Sequence, residues 1–115
     1  MVESQDLAHM CGMSVAIEVV GGKWKLHIMW VLGDGPQRFG QIRRMLGGVS
    51  EKVLTEQLRQ MEADGVVHRE FFPEIPPRVE YSLTALGEEL KVALKSLEDW
   101  GEKRRGDLLA EASSA

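Results

Sequence analysis

A winged helix-turn-helix, mainly α with a small β-wing, is the fold class this sequence predicts, on three observations confined to residues 38–87. Apolar residues recur at helical spacing on both sides of Gly47-Gly48, and two runs rich in β-forming residues follow. A proline-stiffened loop, with Pro73 and Pro76-Pro77, joins those two runs. Two short helices around a tight turn, followed by a hairpin, is the element order of that architecture.

Residues 12–20 have the composition of a short helix, stopped by Gly21-Gly22. Trp24, Ile28, Val31 and Leu32 then fall on one helical stripe, with Met29 and Trp30 widening it, and Gly33-Asp34-Gly35-Pro36 ends that helix. Phe39, Ile42, Met45 and Leu46 repeat at helical spacing, leaving Gln41, Arg43 and Arg44 polar. After the Gly47-Gly48 turn, Ser50 is a good N-cap for the next helix. Its inward residues are expected to be Val53, Leu54, Leu58 and Met61. Lys52, Thr55, Glu56 and Arg59, at i, i+3, i+4 and i+7, share the opposite face. Asp64-Gly65 closes it. Residues 66–72 and 78–83 read as the two wing strands. Thr84 caps a last long helix whose apolar face runs through Leu86, Leu90, Leu94, Leu97 and Trp100, and whose polar extension beyond Gly101 is expected to fray.

A chain of 115 residues is expected to form one domain, because single domains run to roughly 100–200 residues. At 43% hydrophobic and 28% charged its composition is ordinary, and its core is thin for a mostly helical chain. Packing helix faces against a second copy would remedy that. The start of the chain lacks a charged-then-apolar signal pattern and no apolar run approaches a membrane span, so a cytoplasmic protein with no membrane partner is expected. Cys11 is the only cysteine, which excludes an intrachain disulfide and a Cys-rich zinc module.

The net charge of −4 argues at first against a polyanionic partner, but the charge is unevenly spread. Residues 1–20 carry −3, residues 21–60 carry +4, residues 61–83 carry −3 and residues 84–115 carry −2. The positive segment coincides with the helix-turn-helix, where a phosphate footprint on double-stranded DNA is needed. The acidic remainder keeps non-specific DNA affinity low.

The helix after the Gly47-Gly48 turn is therefore the candidate recognition helix, with Ser50 at its start and Lys52, Thr55, Glu56 and Arg59 facing outward. Arginine takes guanine in a bidentate pair worth ~1–3 kcal/mol of discrimination, glutamate accepts from cytosine, and threonine suits a thymine methyl or a phosphate. A plain amphipathic helix with a solvated charged face is the bland alternative, and the wing that follows favours recognition. In the wing, Arg78 directly after Pro76-Pro77 is placed for a minor-groove or phosphate contact, against surface pairing with Glu80 or Glu74. Among Arg38, Arg43 and Arg44, one or two residues are expected to position phosphates. Lys23 and Lys25 read as helix-surface lysines.

Trp24 and Trp100 lie on apolar stripes, so core or dimer packing is expected of them rather than base stacking. The six methionines read as core filler. His9 and Cys11 are two apart while His27 and His68 lie far off, so a metal site built from them is conceivable but is not expected, and neither is a cofactor. No paired carboxylates, phosphate-cradling glycine motif or nucleophile with a nearby base suggests catalysis, so no catalytic residue is assigned and an enzyme is not expected.

From Cys11 to about Trp100 the chain resembles the HxlR-type winged helix-turn-helix transcriptional regulators of bacteria, which are MarR-like. The matching pieces are Gly21-Gly22-Lys23-Trp24, Arg38-Phe39 leading to Ile42 and Leu46, Val49-Ser50, and Leu54-Thr55-x-Gln57-Leu58. Further on they are Asp64-Gly65-Val66-Val67-x-Arg69, the run Pro76-Pro77-Arg78-Val79-Glu80-Tyr81-Ser82-Leu83-Thr84-x-x-Gly87, and Trp100-Gly101. The resemblance implies a homodimer joined by its first and last helices. Residues 1–20 would form an N-terminal dimerisation arm or helix, residues 38–83 the helix-turn-helix with its wing, and residues 84–115 a C-terminal dimerisation helix. Its two recognition helices would enter successive major grooves of a two-fold symmetric operator, about 34 Å apart. It also implies repression or activation of transcription, and sensing of oxidants or small-molecule electrophiles through a cysteine near the N-terminus, where Cys11 stands. The family often carries proline after that cysteine, and here Gly12 stands there.

Two rival readings belong to other classes. A winged-helix protein-interaction module is motivated by the low net basicity and by Glu51, an acid at the mouth of the recognition helix. A thiol-dependent enzyme around Cys11 lacks any visible base. Within the regulator reading, a small ligand in the dimer interface is the alternative to sensing through Cys11.

Overall fold

Glycine and proline punctuation sets the boundaries of the elements. The computed structural model describes residues 4–114, with side chains from residue 7 onward; residues 1–3 of the expected N-terminal arm lie outside the described residues. The helices α1 (Ser4–His9), α2 (Gly12–Val20) and α3 (Lys25–Leu32) lead into a two-residue strand, β1 (Gln37–Arg38). The helix-turn-helix is α4 (Phe39–Leu46) and α5 (Glu51–Ala63), the wing is β2 (Val67–Phe72) and β3 (Arg78–Leu83), and α6 (Ala85–Ser114) follows.

The three strands form one antiparallel sheet in the order β1-β3-β2. Val67 stands opposite Leu83 and Phe72 opposite Arg78, so the hairpin is in register along its whole length. The sequence reading missed β1, which places Gln37 opposite Tyr81 and Arg38 opposite Glu80. Two residues are too few to show an alternating pattern, and only the partner strand makes them a strand.

The core lies where α3, α4, α5 and the start of the wing meet. Ile28, Leu32, Ile42, Leu54, Leu58 and Met61 are almost wholly buried there, with Val66 and Val67 beside them. Trp24 packs against this cluster as expected. Trp30 does not: it is 65% exposed, because it sits two residues beyond Ile28 and so about 200° around the helix. Val53 is also exposed rather than inward, lying about 100° from Leu54 at the edge of the buried stripe. Met45 is exposed at the flank of α4. Lys25 reverses the expectation of a surface lysine, since it is buried at the first turn of α3.

Thr84 fastens α6 to the body. Its hydroxyl donates to the Gly65 carbonyl at 2.6 Å and accepts the Gly87 N–H at 3.0 Å, and its own N–H reaches the Val66 carbonyl at 3.1 Å. Gly87 is required by this close approach, because a Cβ there would collide with the Val66 carbonyl oxygen. Leu90 and Leu94 pack on the core. Leu97 and Trp100 continue the same stripe but are exposed. The expected fraying after Gly101 is not seen; α6 continues to Ser114, a length of about 45 Å. Among the described residues, no helix is long and apolar enough to cross a membrane.

Candidate nucleic-acid interface

The recognition helix begins with a turn that only glycine makes cheaply. Gly47 and Gly48 have φ of 62° and 95°, a region that residues with a Cβ avoid. The chain then enters α5 through Ser50, whose hydroxyl oxygen accepts the Val53 N–H at 3.1 Å. Ser50 is thus the N-cap that the sequence indicates, and its oxygen is already engaged in that cap.

Lys52, Thr55, Glu56 and Arg59 are all exposed, on the side of α5 opposite buried Leu54, Leu58 and Met61. Arg59 Nη1 lies 3.4 Å from a Glu56 carboxylate oxygen, and Gln60 Nε2 donates to the other at 3.2 Å. These are solvent-facing contacts, of a kind that contributes little to stability. At the entry to α4, the Arg38 backbone N–H donates to Gln41 Oε1 at 2.9 Å, which leaves the exposed Arg38 guanidinium projecting from β1.

Arg78 is held far more firmly. Its guanidinium reaches Glu74 through Nη2 at 2.8 Å and Nε at 3.2 Å, and Glu80 through Nη1 at 2.6 Å. It also lies over the Phe72 ring, 3.9 Å from the centroid. Both carboxylates named as surface alternatives in the sequence are therefore its partners in this chain. Together these groups brace the end of the β2–β3 hairpin across the proline loop, which includes a cis Ile75–Pro76 bond.

Cys11 lies apart from these residues in the element order, at the N-cap of α2. Its sulfur accepts the Ser14 N–H at 3.4 Å and stands 3.2 Å from the Ser14 hydroxyl. The thiol is exposed and held below the ordinary cysteine range, first by the Ser14 hydroxyl and then by the Ser14 N–H. Sequence reasoning did not identify Ser14. The three-residue spacing from cap to third helical position was its signal. Among the described residues, no group of three or more His, Cys, Asp or Glu is arranged to hold a metal ion.

A capped recognition helix after a diglycine turn, a braced hairpin wing and a long trailing helix define the class: a winged helix-turn-helix DNA-binding protein of transcription regulation. Residues 19–107 match the HxlR-like helix-turn-helix family. The chain belongs to that family, whose members are transcriptional regulators rather than enzymes. It is 41% identical over 100 residues to the HTH-type transcriptional regulator YdeP of Bacillus subtilis, covering 87% of this chain and 78% of that protein. Among solved structures it is similar to the redox regulator HypR in its reduced form, with a TM-score of 0.81 and 40% identity over 87% of this chain and 99% of HypR. It is also similar to diamide-treated YodB from B. subtilis, with a TM-score of 0.72 and 35% identity over 82% of this chain and 94% of YodB.

Proposed function

We propose that this regulator acts in the cytoplasm as a homodimer on a two-fold symmetric operator in double-stranded DNA. The observation that carries this reading is the outward face of α5, where Lys52, Thr55, Glu56 and Arg59 stand free of the core behind the Ser50 cap. In the complex these residues line or read the major groove, and Arg38 and Arg78 grip the backbone or minor groove. Arg78 does so by exchanging one of its two carboxylate partners for a phosphate. The N-terminal helices and α6 join the two copies. Exposed Met13 and Ile17 on α2, and Leu97 and Trp100 on α6, supply apolar surface for that contact.

Cys11 is the proposed sensor of a small-molecule electrophile or oxidant. An exposed thiol at a helix N-terminus, biased toward thiolate by Ser14, has the chemistry that such reagents attack. HypR, solved in reduced and oxidised forms, and YodB, solved after diamide treatment, are relatives consistent with that reading. With one cysteine per subunit, the modified state is an intersubunit disulfide, a mixed disulfide with a small thiol, or an electrophile adduct.

The test is selection of a binding site from a random duplex pool, then titration of that site against non-specific DNA at several salt concentrations, before and after diamide. Tight, salt-steep and selective binding supports the regulator reading, and release on treatment that disappears in Cys11→Ser supports the switch. Absence of selective binding favours the protein-interaction module. One observation favours a second mode of control: a groove of about 370 Å³ between α3 and α6, lined by apolar Leu26, Trp30 and Leu97 and by charged Lys91, Glu98 and Glu102. A groove of that size and lining suits a small ligand with an apolar body and a polar group. Operator release by such a ligand in Cys11→Ser would place control there.

A further inference from the structure

The arginines at the helix-turn-helix are not equivalent. Among the described residues, no side-chain hydrogen bond or ion pair engages the guanidinium of Arg38 or of Arg44, and both are exposed. Arg43, by contrast, donates from Nε to the Val49 backbone carbonyl at 3.0 Å and from Nη1 to Glu51 Oε1 at 3.4 Å. It therefore reaches from α4 across Gly47 and Gly48 to the last residue before the Ser50 cap. Those glycines, at φ of 62° and 95°, give the turn its shape but no side chains to hold it. Val49 itself is buried at 3% exposure, so the carbonyl that Arg43 grips belongs to an anchored residue.

We propose that Arg43 is a positioning residue for operator recognition, a strut that fixes the angle of α5 against α4 through its part-buried bond to the Val49 carbonyl, with solvent-facing Glu51 as a weaker second contact. This explains an acid at the mouth of a recognition helix without requiring it to read a base. The inference rests on the DNA-binding reading and deepens it, by separating the arginine that sets the helix from Arg44 and Arg38, which are free to meet phosphates.

A strut and a phosphate contact leave different signatures. Loss of a phosphate contact weakens operator and non-specific DNA alike and lowers the salt slope by about 1. Loss of a strut weakens the operator alone and leaves the slope unchanged. Lysine separates the two further, because it keeps the charge but lacks the planar fork that meets two acceptors at once.

The experiment compares wild type, Arg43→Ala, Arg43→Lys, Arg44→Ala and Glu51→Ala on the selected operator and on non-specific duplex across a salt series, with circular dichroism to establish folding. Arg43→Lys is expected to lose about tenfold in selectivity, as much as Arg43→Ala, with the salt slope kept. Arg44→Ala is expected to lower the slope by about 1 with selectivity kept. Glu51→Ala, a fully solvent-side change that serves even if the Arg43 variants fold poorly, is expected to weaken preference evenly across operator positions. Wild-type selectivity in Arg43→Lys overturns the proposal, as does a reduced slope in Arg43→Ala or relaxation at a single base pair in Glu51→Ala. Wild type without salt-steep binding would instead remove the DNA-binding reading itself.

Discussion

Arg59, proposed to line or read the major groove, is loosely held. Its 3.4 Å contact with Glu56 joins two exposed groups, and such pairs contribute little to stability. Arg59→Ala should therefore leave the melting temperature almost unchanged while weakening operator binding by ~1–3 kcal/mol and relaxing one operator position. Titration of a panel of single-base operator variants checks both. Cys11 presents the opposite case, a side chain tuned by one neighbour. Thiolate, not thiol, is the attacking form, so a depressed titration means that alkylation accelerates at a lower pH than for an ordinary cysteine. Removing the first cause, in Ser14→Ala, should move the midpoint of the rate profile upward toward the ordinary range. Iodoacetamide kinetics across pH measure it, and an unmoved midpoint would remove Ser14 from the account.

At the scale of elements, the joint between the wing and α6 is decided by backbone contact. Gly87 lies against the Val66 carbonyl, whereas Gly106, farther along the same helix, has open space around it. Alanine at the two positions should thus act in opposite directions. Gly87→Ala is expected to destabilise by about 1–3 kcal/mol, since the clash is with backbone that must shift. Gly106→Ala is expected to stabilise by about 1 kcal/mol through helix propensity alone. Chemical denaturation of both variants tests this, and equal effects would mean that the Val66 contact is not limiting. The capped turn before α5 is legible from Ser50 and the diglycine, since capping and positive φ are local requirements. The Arg43 bridge across that turn is not, because residues six apart meet only once the turn has closed.

At the scale of the whole molecule, large apolar side chains on two helices stand exposed among the described residues. Leu97 and Trp100 of α6 are 59% and 66% exposed, and Met13 and Ile17 of α2 are 71% and 55% exposed. For a homodimer built on these helices, melting should shift upward with protein concentration, because association stabilises only the folded chain. Trp100→Glu should give a monomer by sedimentation. It should also lose about a hundredfold or more in operator affinity, since each half-site would then be bound alone. A monomeric wild type would remove the homodimer reading, and a dimeric Trp100→Glu with full affinity would place the interface elsewhere.

Local chemistry explains how much of this protein its sequence determined. Helical periodicity marked α3, α4 and α5, the β-rich runs marked β2 and β3, and Ser50 and Thr84 marked the starts of α5 and α6. The pieces of sequence that resemble the HxlR-type regulators identified the family, because turns, caps and close packing constrain residue type at fixed spacing. Tertiary structure alone decided the rest. It made a strand of Gln37–Arg38 by giving it β3 as a partner, and it turned Trp30 away from the core while burying Lys25. It also tied Arg78 to both Glu74 and Glu80 and held Arg43, while the guanidinium groups of Arg38 and Arg44 have no partner among the described residues. Which of several like charges finds a partner depends on distances across turns and between elements, and spacing along the chain does not contain those distances.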